Sequence, residues 1–228
     1  MSGFNQEEFN RFILEHDIIG FFKEPIKLKS GRYSSWYVNW RGVTCDVYLT
    51  EKIADYVIAF IRELRLEPDC FYGVPEGATK LGIITQYKWA KGSGHYLPKS
   101  HPLPMGRGKP KHHGEFRDRY FLGEPQGKTI ILEDVTTTGS SLLNEVINLK
   151  EMGIPLIAAV VLTDRMEQRN NGGSIAETLS EAGIPYHTMS NALDLLPKAY
   201  DKMKPGEDIA ESIEKEFMEY GVEELNLR

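Results

Sequence analysis

Cysteines and long apolar runs are scarce in this sequence, and basic residues are outnumbered by acidic ones. The two cysteines, Cys45 and Cys70, show no metal-ligand spacing, and the N-terminus lacks the basic and apolar regions of a signal peptide, so we expect a reducing cytoplasm. No apolar run approaches the roughly 20 residues that a membrane helix requires. A net charge of −6 argues against general binding to nucleic acid or anionic membranes, because both need a positive surface field. An anionic ligand must therefore be held by a local basic patch.

The length and composition are those of an ordinary globular domain. The 228 residues are 41% hydrophobic and 26% charged, which is enough apolar material for one well-buried core. We predict a single domain over residues 1–228, with an N-terminal cap at 1–45 and a C-terminal helical extension at 205–228. The apolar face of that extension predicts a helix that docks against the rest of the protein, and it is formed by Ile209, Ile213, Phe217 and Tyr220.

Short apolar segments alternate with helical patterns along most of the chain. Continuous apolar runs such as "IAAVVL", 157–162, are typical of parallel strands buried on both faces. We therefore predict an α/β fold with a central, mainly parallel sheet flanked by helices. The predicted strands are 70–74, 95–99, 128–134, 156–164 and 186–190. The predicted helices are 4–15, 78–91, 141–152, 174–182, 191–202 and one that follows an N-cap at Thr50.

Two segments depart from this alternation. Residues 26–42 are predicted to be extended segments around a turn at Ser30 and Gly31. Residues 100–122 contain three prolines, three glycines and five Arg or Lys residues against two acidic ones. A loop this long inside a compact domain is usually functional or disordered.

The stretch "TIILEDVTTTGSS", residues 129–141, joins an apolar strand to a helical pattern through a turn rich in hydroxyls. In an open parallel sheet, ligands lie at the carboxyl ends of strands, and N–H groups at the start of the following helix bind anions. Gly139 lets the backbone approach a ligand closely. The turn is therefore predicted to hold a phosphate, with extra donors from Thr136, Thr137, Thr138, Ser140 and Ser141.

Two adjacent carboxylates, Glu133 and Asp134, stand directly before this turn. They would repel a bound phosphate unless they face sugar hydroxyls or Mg²⁺, which prefers hard oxygen ligands. The chain has neither the Gly-Lys-Thr/Ser of a nucleotide-triphosphate loop nor a G-x-G-x-x-G after a strand. The predicted ligand is a sugar phosphate with magnesium. The alternative is that the acids merely end a strand and the hydroxyls cap a helix.

An apolar strand, two acids and a Thr-rich turn with glycine together resemble the 5-phosphoribosyl 1-pyrophosphate (PRPP) signature of type I phosphoribosyltransferases. The resemblance implies the fold of that family, with a small N-terminal hood and a long mobile basic loop. It also implies that Glu133 and Asp134 bind the ribose hydroxyls, with Asp134 close to the charge that develops in the reaction. The 5′-phosphate would lie on the turn 136–141, and Mg²⁺ would be held mainly by PRPP and water.

Three further stretches are similar to the members of that family that act on orotate. They are "LKSGRYSSWYVN" at 28–39, "RGKPKHHG" at 107–114 and "VVLTDRMEQRNNGG" at 160–173. A planar guanidinium at Arg165 suits the orotate carboxylate or a neighbouring carbonyl. The resemblance implies orotate contacts from Lys29, Tyr37, Val38, Thr137 and Arg165.

The basic stretch 107–114 is similar to the mobile loop of that family, usually R-K-x-x-K-x-H-G. In the family this loop closes over the active site of the neighbouring subunit, which implies a homodimer with shared sites. The resemblance implies that Lys111 and His113 are catalytic residues. The implied contacts to PRPP and its pyrophosphate come from Arg107, Lys109, Lys111 and His113.

The chain departs from the orotate pattern at two positions. Gly108 stands where the loop has its second lysine, and Glu76 stands where relatives often carry a lysine in the loop after a strand. The function that the resemblance implies is transfer of the phosphoribosyl group from PRPP to orotate, which gives orotidine 5′-monophosphate and pyrophosphate. Transfer to uracil or a purine remains an alternative, and so does a non-catalytic regulator that senses PRPP.

Overall fold

The computed structural model describes residues 3–227 and contains a parallel sheet with helices on both faces. The strands are β1 Ile19–Lys27, β2 Tyr33–Val38, β3 Cys70–Gly73, β4 Met105–Gly106, β5 Phe121–Gly123, β6 Thr129–Thr136, β7 Leu156–Asp164 and β8 Tyr186–Thr188. The helices are α1 Gln6–Glu15, α2 Trp40–Val43, α3 Val47–Glu63, α4 Thr79–Gly92, α5 Phe116–Tyr120, α6 Ser140–Glu151, α7 Ile175–Glu181, α8 Ala192–Met203 and α9 Glu207–Tyr220.

The four strands of the main sheet lie in the order β3-β6-β7-β8, and every neighbouring pair is parallel. Successive side chains of these strands point alternately into two apolar clusters, one on each face of the sheet. Ile130 and Leu132 of β6 pack with α3 and α8, whereas Ile131 packs with α6 and α7 on the opposite face. Both faces are therefore covered, which explains why these strands are apolar without alternation. The predicted α/β fold is confirmed.

Two predicted features within residues 46–99 were wrong. Residues 95–99 form no strand, because Pro98 has no N–H for a ladder and Leu97 instead makes a turn with Ser100. The helix start predicted at Thr50 lies one turn too late. The side chain of Asp46 caps α3 by accepting from Leu49 N at 2.8 Å, and the Thr50 hydroxyl donates to the Asp46 carbonyl at 2.6 Å.

The N-terminal residues form an antiparallel hairpin, β1 and β2, around the predicted turn at Ser30 and Gly31. Residues 40–42, predicted to be extended, belong to α2 instead, because the Asn39 side chain accepts from Gly42 N and caps a helical turn. The buried residues of the hairpin belong to the same apolar cluster as one face of the sheet.

The predicted C-terminal helix is confirmed as α9, and it docks on the hairpin. Phe217 stacks on Trp36 with ring centroids 6.3 Å apart, and Glu216 Oε1 accepts from Ser35 N at 2.6 Å. The shared core supports the prediction of one domain over residues 1–228, which stays a prediction. Met1, Ser2 and Arg228 lie outside the described residues.

Candidate functional site

A cavity of about 380 Å³ opens at the carboxyl end of β6. This is where an open parallel sheet is expected to bind ligands. Its walls come from the hairpin, the loop after β3, and the turn that links β6 to α6. The lining segments are residues 28–30, 37–41, 75–77 and 133–142, together with Arg165 and Asn170.

The turn between β6 and α6 has the predicted strand, turn and helix order. Gly139 is the N-cap of α6 with a left-handed φ of 67°, and no side chain caps the helix. The first N–H groups of α6 are therefore open to an anion. A Cβ at position 139 would collide with the side chain of Ile175, so packing against α7 requires glycine here in addition to the backbone angle.

The hydroxyls of the turn do not all have the same surroundings. Thr136 Oγ1 lies 2.8 Å from Tyr186 Oη, which donates to Asp164 Oδ2 at 2.8 Å, so the Thr136 hydroxyl has its partner inside the protein. Thr138 Oγ1 and Ser140 Oγ are 3.0 Å apart. All of these turn residues line the cavity.

The two carboxyl groups differ in burial. Glu133 is 5% exposed, and its Oε1 accepts from Asp134 N at 3.3 Å. Burial, followed by the neighbouring Asp134 charge, raises the pKa of Glu133 well above its usual range. Asp134 is half-buried, and a Cβ at Gly77 would lie 2.6 Å from its carboxylate oxygens. The loop after β3 therefore packs closely against Asp134, and the pair combines a carboxyl that favours its neutral form with a more accessible one.

The hairpin supplies the opposite wall of the cavity. Tyr37 and Val38, at the end of β2, line it, and Lys29 lines it next to the hairpin turn, while their predicted contacts to orotate stay predictions. Lys29 Nζ donates to Ser141 Oγ at 3.1 Å, which links the hairpin to the start of α6. Trp40 Nε1 donates to Thr163 Oγ1 at 3.0 Å and fixes the hairpin to β7.

Arg165 lies in the floor of the cavity with its donors already engaged. Its side chain is 2% exposed, and its guanidinium lies 3.7 Å from the centre of the Trp36 ring. Nε donates to Glu167 Oε1 at 2.7 Å, Nη2 to Ser34 Oγ at 2.9 Å and Nη1 to the Trp36 carbonyl at 3.2 Å. Burial is the main influence on the pKa of Arg165 and lowers it, while Glu167 raises it.

The four predicted cations of the basic loop lie apart from this group. The loop emerges from the short ladder of β4 and β5, and Lys111 N donates to the Arg119 carbonyl at 3.0 Å. Lys109, Lys111 and His113 are exposed. Within residues 3–227, the lining of the cavity includes none of Arg107, Lys109, Lys111 and His113.

The residues at or beneath the cavity that were not predicted include three with polar side chains placed to shape it. Tyr186 holds the Thr136 hydroxyl, Glu167 pairs with Arg165, and Arg41 lines the cavity beside Trp40. The position of Arg41 two residues after the stretch 28–39, which was predicted to contact the base, was the available signal. Nothing in the sequence alone marks Tyr186, because its partner Thr136 is 50 residues away, and the closeness of Glu167 to Arg165 in the sequence does not show which way either side chain points.

The part of the chain that the structure describes contains no cluster of three His, Cys, Asp or Glu side chains that could hold a metal ion. Among residues 3–227, no helix combines the length and apolarity that crossing a membrane would demand. Any Mg²⁺ at the cavity would therefore depend on ligands from a substrate and water in addition to a carboxylate such as Asp134.

Comparisons with known proteins were made on sequence and on structure. No family model matches the chain. An orotate phosphoribosyltransferase of Aquifex aeolicus is 31% identical over 176 residues, which cover 76% of this chain and 88% of that protein. An orotate phosphoribosyltransferase of a Bradyrhizobium species is 30% identical over 186 residues, with 77% and 90% covered.

Solved structures give the same fold. The orotate phosphoribosyltransferase of Francisella tularensis has a TM-score of 0.67 at 21% identity and covers 94% of this chain and 99% of its own. That of Mycobacterium tuberculosis H37Rv in complex with PRPP has a TM-score of 0.56 at 18% identity, with 83% and 98% covered.

Proposed function

The chain belongs to the family of orotate phosphoribosyltransferases, and from this premise we propose how its own residues transfer the 5-phosphoribosyl group from PRPP to orotate. The products are orotidine 5′-monophosphate and pyrophosphate, a step of pyrimidine biosynthesis. The named relatives favour orotate over uracil or a purine, and an enzyme over a regulator. The residue assignments rest on one observation, which is that the acidic pair 133–134 and the uncapped N-terminus of α6 line the same cavity.

The 5′-phosphate of PRPP binds at the start of α6. Its oxygens accept from the N–H groups of the first helical turn, which no side chain caps, and from the hydroxyls of the turn. The Thr136 hydroxyl contributes indirectly, because its bond to Tyr186 holds the end of β6 in place. The residues assigned to the phosphate are Thr136, Thr137, Thr138, Gly139, Ser140 and Ser141.

The acidic pair binds the ribose. Burial and the neighbouring Asp134 charge raise the pKa of Glu133 and so favour its neutral form, and a neutral carboxyl group can donate a hydrogen bond to one ribose hydroxyl. Asp134 accepts from the other hydroxyl. As the bond between C1 and the pyrophosphate oxygen breaks, positive charge develops on the ribose, and the Asp134 carboxylate stabilises it.

Orotate enters from the side of the hairpin. Tyr37, Val38 and Thr137 line its ring, and Lys29 lies between the base and the phosphate turn. A ring nitrogen of orotate forms the new bond to C1 as the bond from C1 to the pyrophosphate oxygen breaks, and the proton that the nitrogen releases balances the proton that the pyrophosphate gains. The direct contact predicted between Arg165 and orotate stays a prediction, because the donors of Arg165 are engaged with Glu167, Ser34 and Trp36 in this structure.

The cavity fits a magnesium ion that arrives with its substrate. Mg²⁺ in phosphate-transfer sites keeps several waters and takes one or two protein carboxylates together with phosphate oxygens. Asp134 is a half-buried carboxylate on the cavity wall and could supply such a contact. When bound, the ion would neutralise charge on the leaving pyrophosphate.

The leaving pyrophosphate needs further cations, and the basic loop supplies them. Arg107, Lys109, Lys111 and His113 stabilise it, and Lys111 and His113 deliver the charge and the proton that its oxygens require. None of these side chains lines the cavity of its own chain within residues 3–227. We therefore assign them to the cavity of a second subunit in a homodimer, and we place the enzyme in the cytoplasm.

Orotate consumption measured by absorbance with PRPP and Mg²⁺ tests this function. We expect turnover with orotate and far less with uracil, adenine or hypoxanthine. The double variant Glu133→Gln, Asp134→Asn should lose turnover, whereas the matched control Glu181→Gln, an exposed residue of α7, should keep it. Turnover of another base in preference to orotate would refute the acceptor, and retention of activity by the double variant would refute the assignment of the acidic pair.

A further inference from the structure

The loop that follows β7 places a guanidinium behind the turn between β6 and α6. Arg169 Nη1 donates to the carbonyl of Thr138, a residue of that turn, at 3.3 Å. Arg169 is half-buried. Within residues 3–227, the lining of the cavity includes Thr138 and Gly139 but not Arg169. Arg169 therefore contacts the turn from outside the cavity.

The peptide group that Arg169 contacts also contains the N–H of Gly139. A trans peptide is planar, and its C=O and N–H point in opposite directions; the peptide between Thr138 and Gly139 is trans. A donor that holds the Thr138 carbonyl on one side thus directs the Gly139 N–H to the other side, where the cavity lies. Among the described residues, this N–H has no hydrogen-bond partner. It is therefore available to an acceptor in the cavity.

The charge of Arg169 has no counter-charge in contact with it. Across residues 3–227 its side chain forms no ion pair. Its Nε is buried and has no hydrogen-bond partner. A half-buried cation attracts an anion more strongly than a cation in water does, because the surrounding medium screens it less. An anion on the cavity side of the peptide would supply the missing charge.

The backbone of Arg169 is fixed within its loop. Arg169 N donates to the Gly173 carbonyl at 2.9 Å, and the Arg169 carbonyl accepts from Gly172 N at 3.0 Å. The preceding residue is held by the hairpin, because Arg32 Nη2 donates to the Gln168 carbonyl at 2.8 Å. The guanidinium thus reaches Thr138 from a backbone that is anchored on both sides.

We propose that Arg169 is a positioning residue for the 5′-phosphate of PRPP. It holds the peptide between Thr138 and Gly139 with the N–H directed at the phosphate. Because hydrogen bonds in a chain polarise one another, its charge also strengthens that N–H as a donor. The proposal rests on the proposed function, which assigns the turn to the phosphate, and it adds a residue that acts on the phosphate through the turn.

Binding of ribose 5-phosphate and of pyrophosphate with Mg²⁺ to the whole chain tests the two ends of PRPP separately. Arg169→Gln should weaken the binding of ribose 5-phosphate about 10-fold, as loss of a hydrogen bond from a charged group does, and change that of pyrophosphate by less than about 3-fold. The KM for PRPP should rise by a similar factor, with the KM for orotate unchanged. Arg169→Lys keeps the charge and should recover part of the affinity. The matched control is Arg11→Gln, on the exposed face of α1.

Phosphorus NMR of bound ribose 5-phosphate gives a readout that a merely structural role would not change. A nearby cation favours the dianion and lowers the second pKa of the phosphate. In Arg169→Gln this pKa should therefore rise toward that of the free ligand, whereas in Arg169→Lys it should stay near the wild-type value. The comparison of Arg169→Lys with the wild type also tests the proposal if Arg169→Gln does not fold, because a shorter side chain should weaken ribose 5-phosphate and leave pyrophosphate unchanged.

Three results would overturn the proposal. One is unchanged affinity for ribose 5-phosphate in a folded Arg169→Gln variant. Another is a loss confined to pyrophosphate, which would assign Arg169 to the other end of PRPP. The third is an equal loss of affinity in both variants with the pKa of the phosphate unmoved, which would leave Arg169 a structural role alone. Failure of the wild type to bind ribose 5-phosphate at all would instead refute the proposed function of the turn.

Discussion

Glu76 and Gly108 lie against each other, and a Cβ at position 108 would stand 2.5 Å from Glu76 Oε1. Glu76 lines the cavity, and Gly108 belongs to the base of the basic loop. These are the two positions at which the sequence departs from the pattern that it otherwise resembles. The departures therefore meet at one place in the structure, where the missing side chain leaves room for a carboxylate.

This contact predicts a difference between two glycines of the loop base. Gly108→Ala should cost less than about 0.5 kcal/mol of unfolding free energy, because the exposed end of Glu76 can swing away. Gly106→Ala should cost about 1–3 kcal/mol, because its Cβ would collide with the hydroxyl of the buried Tyr72 and with Pro75. Thermal and denaturant unfolding measure both values. Equal losses for the two variants would contradict the contacts described.

The acidic pair predicts a dependence of stability on pH. Because burial raises the pKa of Glu133 in the folded state, its contribution to stability is present below its ordinary value of 4.5 and is lost as the pH rises through the folded pKa. Glu133→Gln, which mimics the neutral carboxyl, should therefore gain stability over the wild type at pH 8 and not at pH 4. Melting temperatures across this range, without substrate, provide the measurement. A constant difference at all pH values would show that Glu133 does not titrate in this way.

Asp134 should matter for turnover more than for folding. Asp134→Asn keeps the shape of the side chain and removes the charge that faces the developing cation, so we expect kcat to fall by about 10²- to 10³-fold. The melting temperature should change little, because the side chain is only half-buried. Steady-state kinetics with varied PRPP separate kcat from KM. A large rise in KM at unchanged kcat would assign Asp134 to ground-state binding alone.

Lys111→Ala should lower turnover because it removes a cation from the basic loop, and it should change stability little because the side chain is exposed.

Mixing this variant with Asp134→Asn then tests whether the two subunits share their active sites. Random exchange of subunits would give hybrid dimers in which one site combines an intact cavity with an intact loop from its partner, so about a quarter of wild-type activity should return. Absence of any recovery after verified exchange would mean that the loop serves its own chain.

The sheet and the turn between β6 and α6 could be predicted because their signals are local. The run 130–132 is apolar, and the two acids and the hydroxyl-rich turn directly follow it. The bonds from Arg165 to Ser34 and Trp36 could not be predicted, because these partners come from β2, about 130 residues earlier, and residues far apart in sequence leave no periodic pattern. The role predicted for Gly139, to let the backbone approach a ligand, stays a prediction, and its collision with Ile175 could not be predicted because it depends on how α7 packs.

The docking of α9 has a consequence for how the molecule is made. Glu216 accepts from Ser34 and Ser35, and the same Ser34 hydroxyl accepts from Arg165. The wall that we propose for the base is therefore braced by a helix that follows it by about 180 residues in the chain. A nascent chain from which α9 has not yet been synthesised would lack this brace, so substrate recognition should mature only after α9 has formed.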